Sequence, residues 1–175
     1  MTFMKKHPFL IVDYDSSVKL LASEERQLKK WLSFASLVVE ELLKKKIIPS
    51  KSIKSIQVSL LICGEQRMRK LNHEFREKNK VTDVLSFPSH EDLRKMNSTD
   101  TNLFLGDLAI CHQKVKSQAK QFGISYMDEF IHLFFHGLIH LFGYDHELSK
   151  KEEEIMQGWE KTALDKFSQI KKGAR

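Results

Sequence analysis

His136, His140 and His146 are the residues of this 175-residue chain whose types and spacing could do chemistry, in the segment Phe135-His136-Gly137-Leu138-Ile139-His140-Leu141-Phe142-Gly143-Tyr144-Asp145-His146. On a helix, positions four apart lie about 40° apart on one face, one above the other, as His136 and His140 would. If the helix ran on, His146 would stand roughly 9 Å further along the axis and on another face. Gly143 offers the alternative. A glycine just beyond the last turn takes the left-handed conformation that ends a helix and turns the chain back. The third imidazole can then return to the first two, so that three ring nitrogens meet at about 2.0–2.1 Å from one zinc ion. Three protein donors leave a fourth position for water, which is the arrangement of a catalytic zinc rather than a structural one.

Two alternatives bear on that reading. His132 lies one turn before His136, so His132, His136 and His140 form a competing donor set. Stacked over two straight turns, three such rings diverge by about 80° and span about 12 Å, a poor fit to one ion. Metalloproteases share the histidine spacing, with a glycine three residues after the second histidine, but place a glutamate directly after the first as general base. Here that place is Gly137. Without the base, a metal site argues against peptide hydrolysis by that route.

The elements that must position these residues follow from periodicity. A short strand is expected over 9–14, then an amphipathic helix over about 24–46, whose stripe is Leu28, Trp31, Leu32, Ala35, Leu37, Val38, Leu42 and Leu43. Alternation of Ile56, Val58, Leu60 and Ile62 marks a second strand over 53–63. A helix over 65–75 and a third strand over 83–87, stopped by Pro88, come next. The polar stretch 89–102 reads as a loop, long enough to be functional or mobile. Gly106 opens a fourth strand to Cys111; a helix over 112–122 ends at Gly123. Ser125, with Asp128 three residues on, begins the helix that carries His136 and His140, and a last helix runs over about 149–167. The order β-α-β-α-β-β-α-α-α implies an α+β class: one domain over 1–175, with a mixed four-stranded sheet packed by about five helices.

Bulk properties bound the function. The chain has 29 Lys+Arg against 23 Asp+Glu, net +6, which favours a polyanionic partner such as nucleic acid but equally fits a solvated surface. No apolar run approaches the roughly 20 residues of a membrane span, and the apolar stretch near the start is too short for a signal peptide. Cys63 and Cys111 sit in apolar strand contexts and read as reduced core thiols. The expected compartment is the cytoplasm.

Other polar residues have bland and functional readings side by side. Arg76, at the end of the second helix, caps carbonyls or reaches into a cleft. Thr82-Asp83 reads as a turn. Asp107 and Asp145 are either bonded to local backbone or act as acceptors that fix the imidazole tautomers.

Three blocks then carry a resemblance. Asn72, Arg76 and Thr82-Asp83-Val84-Leu85-Ser86-Phe87-Pro88, next Leu105-Gly106-Asp107, and finally His136-Gly137-x-x-His140-Leu141-x-Gly143-Tyr144-Asp145-His146 resemble the YbeY family of bacterial endoribonucleases and ribosomal-RNA maturation factors. The similarity covers essentially the whole chain, with the blocks in the family's order. Asn79 and Val81 depart from it, standing where the family usually has aspartate and proline, and the N-terminal arm and the 89–102 loop are individual. The resemblance implies one α+β domain holding one zinc ion through His136, His140 and His146, with Arg76 matching a functional arginine of the family's cleft. It implies cleavage of single-stranded RNA, maturation of ribosomal-RNA ends, ribosome quality control, and ribosome or small-subunit precursors as partners, with no membrane. The rival class is a non-catalytic, zinc-containing assembly factor that binds ribosome precursors while other nucleases cut.

Overall fold

Alternating apolar residues in four short segments build the sheet, and a computed structural model describes residues 10–49, 53–95 and 102–174. The N-terminal arm, Phe9 of the first expected strand, and 96–101 of the polar loop lie outside these described residues. Strand β1 (Leu10–Ser16) is parallel to β2 (Ser55–Cys63), with helix α1 (Ala22–Lys44) crossing between them. Helix α2 (Glu65–Arg76) leads to β3 (Val84–Pro88), a single 3-10 turn at Leu93–Lys95, and β4 (Asn102–Cys111). Helices α3 (His112–Phe122), α4 (Tyr126–Leu141) and α5 (Lys150–Gly173) follow. The sheet order is β1-β2-β4-β3; β2 and β4 are parallel, and β3 is an antiparallel edge strand. This is the mixed α+β architecture expected from the sequence.

Ile56, Val58, Leu60 and Ile62, which alternate along β2, are all buried in the principal core with Val38, Val39 and Leu42 of α1 and Phe130, Phe134 and Phe135 of α4. A smaller cluster joins Met68 and Leu71 of α2 to Cys63, Leu85, Ala109 and Cys111. Both cysteines are free and buried, and burial pushes the Cys63 thiol up to about 11, which keeps it protonated and inert. Among the described residues no helix is long and apolar enough to cross a membrane.

Several boundaries differ from expectation, β3 running through Pro88 rather than stopping before it, and two of the differences have clear physical reasons. Strand β4 starts at Asn102 rather than Gly106, because Gly106 is a bulge within the strand: Gln57 pairs with Phe104 but Val58 with Gly106, leaving Leu105 extra. Gly106 has φ +135°, and a Cβ there would run into the Phe87 carbonyl oxygen, so only glycine fits. Helix α5 continues past Phe167 to Gly173, its last turn held by Lys171, which pairs with Asp128 and lies 4.7 Å over the Trp31 ring.

Helix α4 is apolar on almost every side, as suits a helix enclosed by a sheet and other helices. His136 and His140 lie on its one partly open stripe. Gly137 is where α4 touches the sheet: a Cβ there would stand 2.8 Å from Leu108 Cδ2 and 3.1 Å from Ser86 Oγ. The Ser86 hydroxyl donates to the Gly137 carbonyl at 3.1 Å, joining β3 to the helix beside His136. A glutamate at this position has no room.

Candidate metal centre

The end of α4 decides where the third histidine goes. Ser125 caps the other end, its hydroxyl accepting from the Asp128 N–H at 3.1 Å, as its sequence position suggested. After Leu141 the chain leaves the helix through Gly143, which has φ +100° and donates its N–H to the His140 carbonyl at 2.9 Å. Tyr144 then turns inward, and its hydroxyl donates to the Ile47 carbonyl at 2.7 Å. His146 is brought back beside the two helical rings. Centroid separations are 4.9 Å for His136–His140, 5.3 Å for His136–His146 and 5.0 Å for His140–His146. One nitrogen from each ring lies within 4.8 Å of the others, a group that could hold a metal ion. His132 is not in that group; its Nδ1 faces Glu129 Oε2 at 3.4 Å.

Gly143 is doubly constrained. A Cβ would meet a disallowed positive φ and would approach Asp92 Oδ1 to 2.6 Å and Asp92 Cα to 3.1 Å. Gly143→Ala is therefore expected to lower unfolding free energy by about 1–3 kcal/mol and to weaken metal binding as well. Urea denaturation and metal titration of the same variant check both effects.

Two hydrogen bonds aim the helical rings. His136 Nδ1–H donates to Glu160 Oε1 at 2.6 Å, and His140 Nδ1–H to the Tyr144 carbonyl at 2.8 Å. With Nδ1 engaged, each ring offers the lone pair of Nε2 to the centre of the triangle. Burial, with His136 and His146 adjacent, holds the His140 pKa down to about 4, so this donor is neutral at physiological pH. Burial alone would raise the Glu160 carboxyl, but the His136 hydrogen bond and the nearby imidazoles outweigh it and hold the group below its ordinary value.

Glu160 was not singled out from the sequence. Its signal was a carboxylate on the buried stripe of α5, between Met156 and Ala163. The acceptors suggested from sequence fall elsewhere. Asp145 lines the cleft but accepts from the Glu147 N–H at 2.9 Å, while Asp107 lies in a separate groove with Asp13 and Phe87. Glu160→Gln keeps an acceptor but removes the charge, and is expected to weaken metal affinity about 10–100-fold. Calorimetric metal titration reads this directly.

Arg76 belongs to the same cleft, a cavity of about 320 Å³ also lined by Asn72, Lys78, Lys80, Asp83, His136, His140 and His146. It does not cap its own helix. Glu77, in the left-handed conformation at φ 56°, ends α2 by donating its N–H to the Asn72 and His73 carbonyls. Arg76 reaches across β3 instead, and Nη2 donates to the Ser86 carbonyl at 3.1 Å. Buried Asn72 donates to the Lys80 carbonyl at 2.7 Å and so pins the loop that presents Lys78 and Lys80. Thr82-Asp83 is not a hydrogen-bonded turn but a bend leading into β3: Asp83 accepts from the Val84 N–H at 2.8 Å and from Gln118 Nε2 at 2.9 Å.

A family model described as Endoribonuclease YbeY matches residues 19–168, which span all three histidines, Arg76 and Glu160. The chain belongs to the YbeY family. It is 39% identical over 138 residues to Endoribonuclease YbeY of Thermodesulfovibrio yellowstonii, covering 79% of this chain and 82% of that one. To the YbeY of Leptospira interrogans it is 42% identical over 120 residues, covering 62% and 85% respectively. The solution structure of TM1509 from Thermotoga maritima shares the fold at TM-score 0.58 and 24% identity, covering 94% of this chain and 93% of that one.

Proposed function

We propose that this YbeY chain is a zinc-dependent endoribonuclease that cuts single-stranded RNA in the cytoplasm, in ribosomal-RNA processing and maturation and in ribosome quality control. One observation carries the reading: three imidazoles converge in a cleft shared with Arg76, Lys78 and Lys80. Relatives named endoribonucleases support RNA as the substrate class. Two buried free thiols suit a reducing compartment.

His136, His140 and His146 would hold the ion, and imidazole donors with an open fourth position suit zinc. Bound there, zinc would supply Lewis acidity, so a carboxylate base at the position of Gly137 would not be needed. The chain's own residues do the rest. Glu160 and the Tyr144 carbonyl keep two rings oriented. The planar fork of Arg76 binds non-bridging phosphate oxygens and offsets the charge that grows on them as the phosphodiester is attacked. Lys78 and Lys80, exposed on the pinned loop, bind flanking phosphates as point charges. A single strand can fold one phosphate into this cleft, whereas a duplex holds its phosphates on a rigid surface.

The test is incubation of the pure protein with single-stranded RNA and with casein, before and after chelation, beside His140→Ala. RNA cleavage lost in both the chelated and the variant samples is the expected result. RNA bound but uncut by the zinc-loaded protein selects the assembly-factor reading, and cleaved casein selects a protease. The product ends separate two routes: a 2′,3′-cyclic phosphate reports attack by the 2′-hydroxyl, and a linear phosphate reports attack by water. Elemental analysis of untagged protein identifies the ion.

A further inference from the structure

The 3-10 turn of the long polar loop holds a charged cluster that touches the metal centre only through other groups. All three guanidinium nitrogens of Arg94 donate there. Nε donates to Asp92 Oδ1 at 2.8 Å and Nη2 to Asp92 Oδ2 at 3.0 Å, while Nη1 donates to both Glu152 oxygens, at 3.1 and 2.8 Å. Its backbone N–H also donates to Asp92 Oδ1 at 3.0 Å. The guanidinium carbon lies 4.7 Å over the Tyr144 ring. The three charged side chains are mostly buried, Arg94 being 24% exposed, Asp92 12% and Glu152 23%. At such depth an interlocked, bidentate network has one geometry and is costly to break.

What this cluster grips is the turn between α4 and α5. Asp92 packs directly against Gly143, the residue that turns the chain. Tyr144, under the guanidinium, is the residue whose carbonyl holds His140 Nδ1. Glu152 lies in the first turn of α5, eight residues before Glu160, the partner of His136. His146 stands on the loop between these points, exposed and outside any helix or strand. We infer that Arg94 is a positioning residue of the metal centre: clamped to Asp92, Glu152 and Tyr144, it holds the turn at the place that aims His140 and returns His146. The inference rests on the three-histidine site proposed above. It assigns a task to a loop that the sequence presents only as polar.

The experiment is zinc titration, by competition with a chromophoric chelator, of chelator-stripped full-length protein and of Arg94→Ala, Arg94→Lys, Glu152→Gln and His140→Ala. Far-UV circular dichroism at the titration temperature establishes that each is folded. Arg94→Ala is expected to bind zinc about 10–100-fold more weakly. Arg94→Lys keeps a cation beside Glu152 and Tyr144 but loses the fork on Asp92, so it is expected to fall between. Cobalt substitution supplies a second readout, because a displaced His146 alters the visible absorption of the ion. If Arg94→Ala does not fold, Arg94→Lys and Glu152→Gln carry the test. Wild-type zinc affinity in the folded Arg94 variants overturns the clamp even where their melting temperatures drop, since a merely structural role moves stability and leaves affinity alone. Equal zinc binding by the wild type and His140→Ala sinks the site itself, and the clamp with it.

Discussion

His140→Ala is expected to weaken metal binding by orders of magnitude and to abolish RNA cleavage while leaving the fold in place. The three-histidine group would share an ion among three donors, and His140 faces the other two at ring separations of 4.9 and 5.0 Å. Zinc sites held by protein donors are worth on the order of 10 kcal/mol in total. Removing one donor of three therefore costs roughly 3–5 kcal/mol, on the order of 10²–10⁴-fold in affinity. The fold loses much less. The hydrogen bond to the Tyr144 carbonyl contributes about 1 kcal/mol, and the His140 ring lies on the partly open side of α4, outside its sealed core. Metal titration, thermal melting and a cleavage assay on the same preparation separate these effects. RNA cleavage persisting in a metal-free His140→Ala protein would end the metal-dependent reading.

Arg76→Ala should do the opposite: keep the ion and lose the chemistry. Arg76 lines the cleft beside the three imidazoles; its described hydrogen bond is to the Ser86 carbonyl, and its side chain is exposed. Removing it leaves the donor triangle and its Glu160 and Tyr144 supports untouched. What disappears is a cation aimed where phosphoryl charge develops, a loss worth about 10²–10³ in kcat. Arg76→Lys is expected to recover only part of that, because a point charge does not reproduce a bidentate fork. Zinc affinity within twofold of wild type, with cleavage reduced 100-fold, is the combined signature. Unchanged kcat in Arg76→Ala would remove Arg76 from the active site and leave it a bridge between α2 and β3.

The two variants together test whether the site divides into a part that holds the ion and a part that handles phosphate. Each part comes from a different level of the structure. Local backbone chemistry set the first in outline. Four-residue spacing put His136 and His140 on one helix face, the Ser125–Asp128 pair began that helix, and Gly143 ended it with a positive φ. Alternation in β2 and the glycine stop of α3 were legible for the same reason, since each depends on residues only a few positions apart. The position of Gly106 misled because a strand start and a bulge both favour glycine, and only pairing with β2 distinguishes them.

Contacts between distant residues were decided by packing. Nothing near His136 announces Glu160, 24 residues on; α5 must lie along α4 before the carboxylate meets the ring. Asp107 and Arg76 illustrate the same point in opposite directions. The pleat of β4 turned Asp107 into another groove, while the end of α2, where Phe75 meets Phe87 of β3, placed Arg76 in the cleft with the histidines. The residue types and their spacing determined which histidine rings come together and where the helix stops, because those follow from backbone preferences within a turn or two. Which side chains support them was left to the tertiary structure, because the angle at which one element crosses another is set by the shape of the whole core.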